Sequence, residues 1–316
     1  MAAINAPALS TMWMQHRAER VLPWWEQVRA LGFAQIELSH IVTPAMLEGL
    51  QAGDISVSSV HFPAPTVAHP HDSRPAEVLI SSPDPALRSW AVKQCRRSID
   101  LAAELGGKTV CIHAGRIRVP AHLEWVLYQR YYGGYQGTII YQQALDDLLA
   151  ARAANAEPYF SAIRRSLQEL ARYAQQAGVR LGVETRLHIY EIPSLQEAQI
   201  ILAEHDPAVL GHWHDVGHVQ VQANLGVASQ AAWLEACGSR TVAAHLHDTR
   251  GLRDHLIPGH GDSDFALVAA HLPADALRVC ELDWYFSPDE IRDGVDYLAR
   301  HGLCESLDRG NVKPKA

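Results

Sequence analysis

Eight short apolar runs, each followed by a stretch of helical period, succeed one another along the chain, and seven of them end on or beside an acid or a histidine. The runs fall at 8–14, 34–38, 55–61, 109–113, 179–184, 208–215, 241–248 and 277–281; helical stretches fall at 18–31, 44–51, 85–105, 159–176, 194–204, 231–237, 264–272 and 288–301. Strands that alternate with helices pair in parallel through right-handed crossovers. Eight such units in 316 residues predict a closed (β/α)8 TIM barrel, α/β in class, as a single domain over 1–316. No GxGxxG or GxxxxGK[ST] is present, so nothing points to an open nucleotide-binding sheet.

All strands of a parallel barrel open their C-terminal ends on one face. The residues gathered there are Glu37, His61, His113, Glu184, Asp215, His245 and Glu281. The densest stretch is His212-Trp213-His214-Asp215-Val216-Gly217-His218, in which Gly217 is expected to let the chain turn so that Asp215 and His218 face one point. Carboxylate oxygen with imidazole nitrogen suits Zn²⁺, Mn²⁺, Co²⁺ or Fe²⁺. The expected metal site is Glu184, Asp215, His245 and Glu281. Histidine is abundant, 18 against 27 Lys plus Arg, and it is the commonest metal ligand.

Composition excludes some classes. A charged fraction of 20% and an apolar fraction of 48% are those of a soluble globular protein. No apolar run is long enough to span a bilayer, and the first residues carry no signal-peptide pattern, so a cytoplasmic protein without membrane partners is expected. The five cysteines form no CxxC pair and read as reduced thiols. A net charge of −8 without a dense Lys/Arg stripe argues against nucleic acid.

Three segments depart from the repeat. The stretch 63–83, rich in Pro, Ser, His and Asp, reads as an irregular loop lining the site. The stretch 114–158 is too long for an ordinary loop and carries Trp125, Tyr128, Tyr131, Tyr132, Tyr135 and Tyr141 with Gly133, Gly134 and Gly137 as joints. It reads as an inserted lid over the catalytic face; a surface helical hairpin or a contact in a homo-oligomer are the other readings. The polar tail, 303–316, reads as peripheral.

Several side chains carry two readings each. Trp213 and Trp284 stack on a sugar face or fill the core. Glu37 accepts a substrate hydroxyl or forms a buried ion pair. His212 and His214 are expected to be structural, since alternation turns them away from the barrel axis. His247 and Asp248 are expected to orient His245. Arg116, Arg118, Arg130 and Arg186 hold a small anion or a sugar, or are solvated charges.

The motifs Gly182-Val183-Glu184, Asp215-Val216-Gly217-His218, His245-Leu246-His247-Asp248, the stretch from His255 to Gly261, and Cys280-Glu281-Leu282 stand in an order that resembles the xylose-isomerase-like TIM barrel superfamily. That superfamily includes sugar and sugar-phosphate isomerases and epimerases, inosose dehydratases and apurinic-site endonucleases. By similarity to the epimerase-type members, Glu184, Asp215, His245 and Glu281 would hold one divalent ion (Mn, Zn, Co, Fe or Mg). Glu184 and Glu281 would be the catalytic pair on opposite faces of a bound sugar, and His218 and Arg250 would contact its oxygens, with Glu37, Arg186 and Trp213 as further substrate contacts. The endonuclease-type members use two or three ions, and their extra ligands look like His61, His113, His218 and His255. Those members read Asp-x-His in the loop after the seventh strand, whereas this chain reads Arg253-Asp254-His255, which puts a third ion in doubt.

The resemblance implies a metal-dependent isomerase or epimerase of a small carbohydrate or polyol, phosphorylated or not, acting by proton transfer through an enediolate. A multinuclear-metal hydrolase or lyase acting on a phosphodiester or glycoside-like bond is the alternative from the same residues. A noncatalytic sugar-binding barrel is the third.

Overall fold

The computed structural model describes residues 6–69, 72–75 and 78–307. Eight parallel strands close a barrel: β1 (Ala8–Ser10), β2 (Gln35–Leu38), β3 (Val57–His61), β4 (Thr109–Ile112), β5 (Arg180–Glu184), β6 (Leu210–Asp215), β7 (Thr241–His245) and β8 (Leu277–Cys280). Each pairs with its neighbours in sequence, and β8 returns to β1. The helices are α1 (Val21–Leu31), α2 (Pro85–Glu104), α3 (Ala121–Tyr132), α4 (Ile139–Ala177), α5 (Leu195–Ala203), α6 (Val216–Leu225), α7 (Gln230–Cys237), α8 (Phe265–His271) and α9 (Pro288–Arg300).

Local signals set most boundaries. The Asp84 carboxylate accepts from the N–H groups of Ala86 and Leu87 to open α2, and Ser194–Glu197 and Ser287–Glu290 form capping boxes for α5 and α9. Gly32 ends α1 at φ +104°, a conformation costly for any residue with a Cβ. Helix α1 buries Val21, Trp24, Trp25, Val28 and Leu31, while Leu22 is exposed.

Strand alternation decides which side chains reach the interior. On β6, Trp213 turns inward and packs with Ala8, Cys111, Ala243 and Val279 as the barrel's own core. His212 and His214 turn outward toward the helices. His212 stacks on Trp233 and His214 Nε2 meets Gln230 Oε1 at 3.0 Å. The larger core lies between strands and helices.

Some expectations need correction. The first strand ends at Ser10, whose side chain caps a 3-10 turn over Thr11–Met14. The stretch 44–51 forms only a 3-10 turn, Pro44–Leu47. The loop after β3 holds a two-stranded ribbon, Ala68–His69 with Asp72–Pro75. Helix α6 escaped the reading because it is buried almost all round, so no 3.6-residue stripe shows. The segment 114–158 is not irregular: α3 and a 39-residue α4, which runs through Pro158, form a helical hairpin. The apolar face along α4 outweighs its local breaker. The near half of the hairpin packs on Ile189, Val221, Leu225 and Leu252, all on loops or helices that leave the C-terminal ends of strands. The tail is not wholly peripheral: Leu303, Cys304 and Leu307 are buried, and 308–316 lie outside the described residues. All five cysteines are free and buried. Among the described residues no helix is long and apolar enough to cross a membrane.

Candidate metal centre

Four adjacent strands deliver four donors. Glu184 ends β5, Asp215 ends β6, His245 ends β7 and Glu281 follows β8. One donor atom from each lies within 4.8 Å of all the others, and all four residues are buried. His245 Nδ1 stands 2.8 Å from Glu184 Oε1, 3.2 Å from Glu281 Oε2 and 3.3 Å from Asp215 Oδ2. Its Nε2 faces Glu37 Oε1 at 3.1 Å, and Glu37 Oε2 accepts from the Ser59 hydroxyl. Glu37 therefore forms a buried pair that fixes the ring of His245.

Three carboxylates around one imidazole call for a cation. Burial raises the affinity of Glu184 for its proton, yet the Arg186 guanidinium beside it holds it well below the usual carboxylate range. Asp215 is likewise held low against burial by His218 and His247, and Glu281 by His245 and His255. Burial pushes His245 down, but Glu281 and Glu37 drive it well above its ordinary value. Glu281 Oε1 is buried without a hydrogen-bond partner. Three oxygens and one nitrogen, with the second oxygen of Glu281 left without a hydrogen-bond partner, fit a borderline divalent ion.

The supporting groups are histidines. His247 Nδ1 accepts the backbone N–H of His255 at 2.9 Å, so its Nε2–H is the donor to Asp215 Oδ1, also at 2.9 Å. It thus orients Asp215, not His245. Gly217, expected from the sequence to be a turn residue, is helical. It lies in the first turn of α6, for which Asp215 is the N-cap, and a Cβ there would stand 2.1 Å from His247 Cε1. Glycine lets α6 approach that ring. His218 Nδ1 meets the Thr185 carbonyl at 3.0 Å, leaving Nε2 toward Asp254 Oδ2 at 3.5 Å. His255, at φ +54°, stacks on His247 and sets Nδ1 3.1 Å from Asp254 Oδ2 and Nε2 3.5 Å from Glu281 Oε2. The acid displaced by one residue in sequence therefore still reaches His218 and His255.

On the other side, His113 Nε2 lies 2.8 Å and His61 Nε2 3.9 Å from Glu184 Oε2. Burial lowers both imidazoles, reinforced at His61 by His113 and at His113 by Arg186. Arg186 contacts Glu184, His113 and Glu191.

Other expected site residues are placed elsewhere. Trp213 is fully buried beneath His245, ring centroids 4.8 Å apart, and fills the barrel without facing a ligand. Arg250 is exposed on the hairpin Asp248–Arg250/Arg253–Leu256, where it donates to the His260 carbonyl away from the four donors. Asp248 does not touch His245; its carboxylate accepts the N–H groups of Thr249, Gly259, Gly261 and Ser263 and shapes the loop after the hairpin. Arg130 is half-buried and bonds the Ile140 carbonyl. Arg116 and Arg118 line a cavity of about 860 Å³ with Trp90, Glu124, Tyr159 and Tyr190, which none of the four donors lines. Trp284 is 40% exposed at the barrel mouth, its ring against His16. His40, two residues beyond β2, groups with His61 and Glu281 and was overlooked, although a histidine just past a strand end was the signal. Glu191 carries no local signal.

A family model described as "Xylose isomerase-like TIM barrel" matches residues 25–301. Among curated proteins, the uncharacterized protein y4fM of Sinorhizobium fredii is 24% identical over 254 residues, 78% of this chain and 70% of that protein. Among solved structures, a D-tagatose 3-epimerase-like protein superposes with a TM-score of 0.64 at 17% identity, covering 93% of this chain and 96% of the other. The apo form of 3-keto-D-glucoside 4-epimerase, YcjR, from E. coli does so with a TM-score of 0.62 at 17% identity, covering 94% and 99%.

Proposed function

The chain belongs to the xylose isomerase-like TIM barrel family, and from that membership we propose a divalent-metal-dependent isomerase or epimerase of a small keto sugar or polyol. The observation that carries the reading is the arc of four adjacent strands ending in Glu184, Asp215, His245 and Glu281, with the two glutamates on its outer strands. A divalent ion held there would polarise neighbouring sugar oxygens and acidify the hydrogen on the carbon between them. Glu184 and Glu281, both ionised, flank the position of that carbon. One removes the proton to leave an enediolate and the other returns it, on the opposite face for epimerisation. His245 is kept in place by Glu37 from behind. His218, with Nδ1 committed to Thr185, presents Nε2 to a substrate oxygen. The α3–α4 hairpin, seated on Leu252 and Ile189, forms the wall that keeps water from the enediolate. Two structural neighbours bear epimerase names, which agrees with this reaction class.

A multinuclear-metal hydrolase or lyase is the second reading. One observation favours it: His218, His247 and His255 form a further group of donors, and His61, Cys111 and Glu184 another.

The test is proton exchange. Protein loaded with Mn²⁺ or Co²⁺ is incubated in D2O with a panel of ketopentoses and ketohexoses and followed by NMR. Deuterium should enter at the carbon beside the carbonyl of at least one sugar. Glu281→Gln should abolish exchange while retaining the ion. Absence of exchange together with cleavage of bis-p-nitrophenyl phosphate or p-nitrophenyl glycosides would transfer the assignment to the second reading. Sugar binding with neither activity would leave a binding barrel.

A further inference from the structure

Glu184 uses its two carboxylate oxygens differently. Oε1 faces His245 inside the four-residue centre, and Oε2 faces His113 and His61 outside it. A carboxylate so divided is placed to bridge two cations. The position beside Oε2 is filled by the chain itself, because Arg186 Nη1 contacts both Glu184 Oε2 and His113 Nε2. That guanidinium is tethered from behind. Its Nε and Nη2 both donate to Glu191 Oε1 at 3.2 Å, and Glu191 Oε2 accepts the His188 N–H at 3.0 Å.

We infer that Arg186 is a resident cation standing in for a second metal ion beside Glu184, so that the chain holds a single ion in the centre of Glu184, Asp215, His245 and Glu281. The inference rests on the metal-dependent reading above and decides how many ions that reading involves. The physical reasons are three. A guanidinium keeps its charge at any working pH and repels a divalent ion at contact distance. It offers no lone pair, so His113 Nε2 must accept from it and has none left for a metal. The Arg186 side chain is only 12% exposed, so water does not screen it. His61 and His113 then serve substrate oxygens and not metal.

Ion content decides the matter without any turnover. Wild type, Arg186→Met and Arg186→Lys are dialysed to equilibrium against Zn²⁺, and in parallel against Mn²⁺, then analysed for metal per chain. The expected contents are one, two and one; a combined Arg186→Met, His113→Ala variant should return to one. One ion in both wild type and Arg186→Met overturns the inference and leaves the metal-dependent reading standing, and two in wild type does the same. No ion in wild type sinks both. A second measurement avoids changing Arg186: His113→Ala in the wild-type background should still hold one ion per chain, with its affinity falling by no more than the roughly 10- to 100-fold expected when a neighbour of a ligand is removed. Loss of an ion in that variant would make His113 a ligand and refute the assignment.

Discussion

Replacing Gly217 by alanine tests how the centre is braced. In the body of a helix such a change is ordinarily favourable by up to about 1 kcal/mol. Here the new methyl carbon would stand 2.1 Å from His247 Cε1, 2.3 Å from its Nδ1 and 2.9 Å from Thr249 Oγ1. Ordinary carbon contacts are about 3.5–4.0 Å, so the ring must withdraw by roughly 1.5 Å. It is held by two hydrogen bonds of 2.9 Å, one from the His255 N–H and one to Asp215. Breaking a buried bond costs about 1–3 kcal/mol, and two of them set against the helix gain leave a net loss of about 1–5 kcal/mol. Asp215 would also lose its imidazole donor, which should weaken ion binding by about 10- to 100-fold. Urea unfolding of the metal-free chain reads the first quantity and chelator competition the second. In a His247→Ala background the ring is gone, so Gly217→Ala should become neutral or stabilising. Wild-type stability and ion affinity in the single variant would refute the argument.

Other perturbations follow from the same contacts. Asp248→Ala removes the acceptor of four backbone N–H groups and should cost about 2–4 kcal/mol, with Asp248→Asn intermediate; urea unfolding and faster proteolysis within 257–263 are the readouts. Arg152→Met leaves Glu197 buried without its partner and detaches α4 from the carbonyls of Ile189 and Glu191, for a loss of about 3–5 kcal/mol in unfolding free energy. Burial pulls His214 down to about 4, against its bond to Gln230 and the charge of Asp215. The folded chain then binds fewer protons than the unfolded one between pH 6.5 and 4, so stability falls as pH drops through that window. The His214 share of the loss reaches about 3 kcal/mol at pH 4. Urea unfolding at pH 7 and 4.5 should show a smaller drop for His214→Gln than for wild type, and equal drops would contradict this account.

Much of the barrel was legible because the signals are local. Alternation of apolar runs with helical stretches, capping residues such as Asp84 and Ser194, and the stop at Gly32 act within a few residues. The outward turn of His212 and His214 follows from a period of two. Where the signals were not local, the reading failed. Helix α6 is buried almost all round and shows no stripe, and α4 passes through Pro158 because its apolar face has partners on both core clusters.

The sequence by itself determined that eight strands would run parallel and which acids and histidines would stand at their ends, since residue type and period are properties of short segments. The tertiary structure alone decided how those ends meet. Arg186 reaches Glu184 because Glu191, on a later turn of the same loop, holds it there. Glu37 stands behind His245 across the closed barrel, 208 residues away in sequence. His255 takes a left-handed backbone that carries Asp254 to His218. Gly217 yields space to a ring from another strand's loop. The last three are close approaches between segments remote in the chain, and steric fit and charge at such contacts exist only once the barrel has closed.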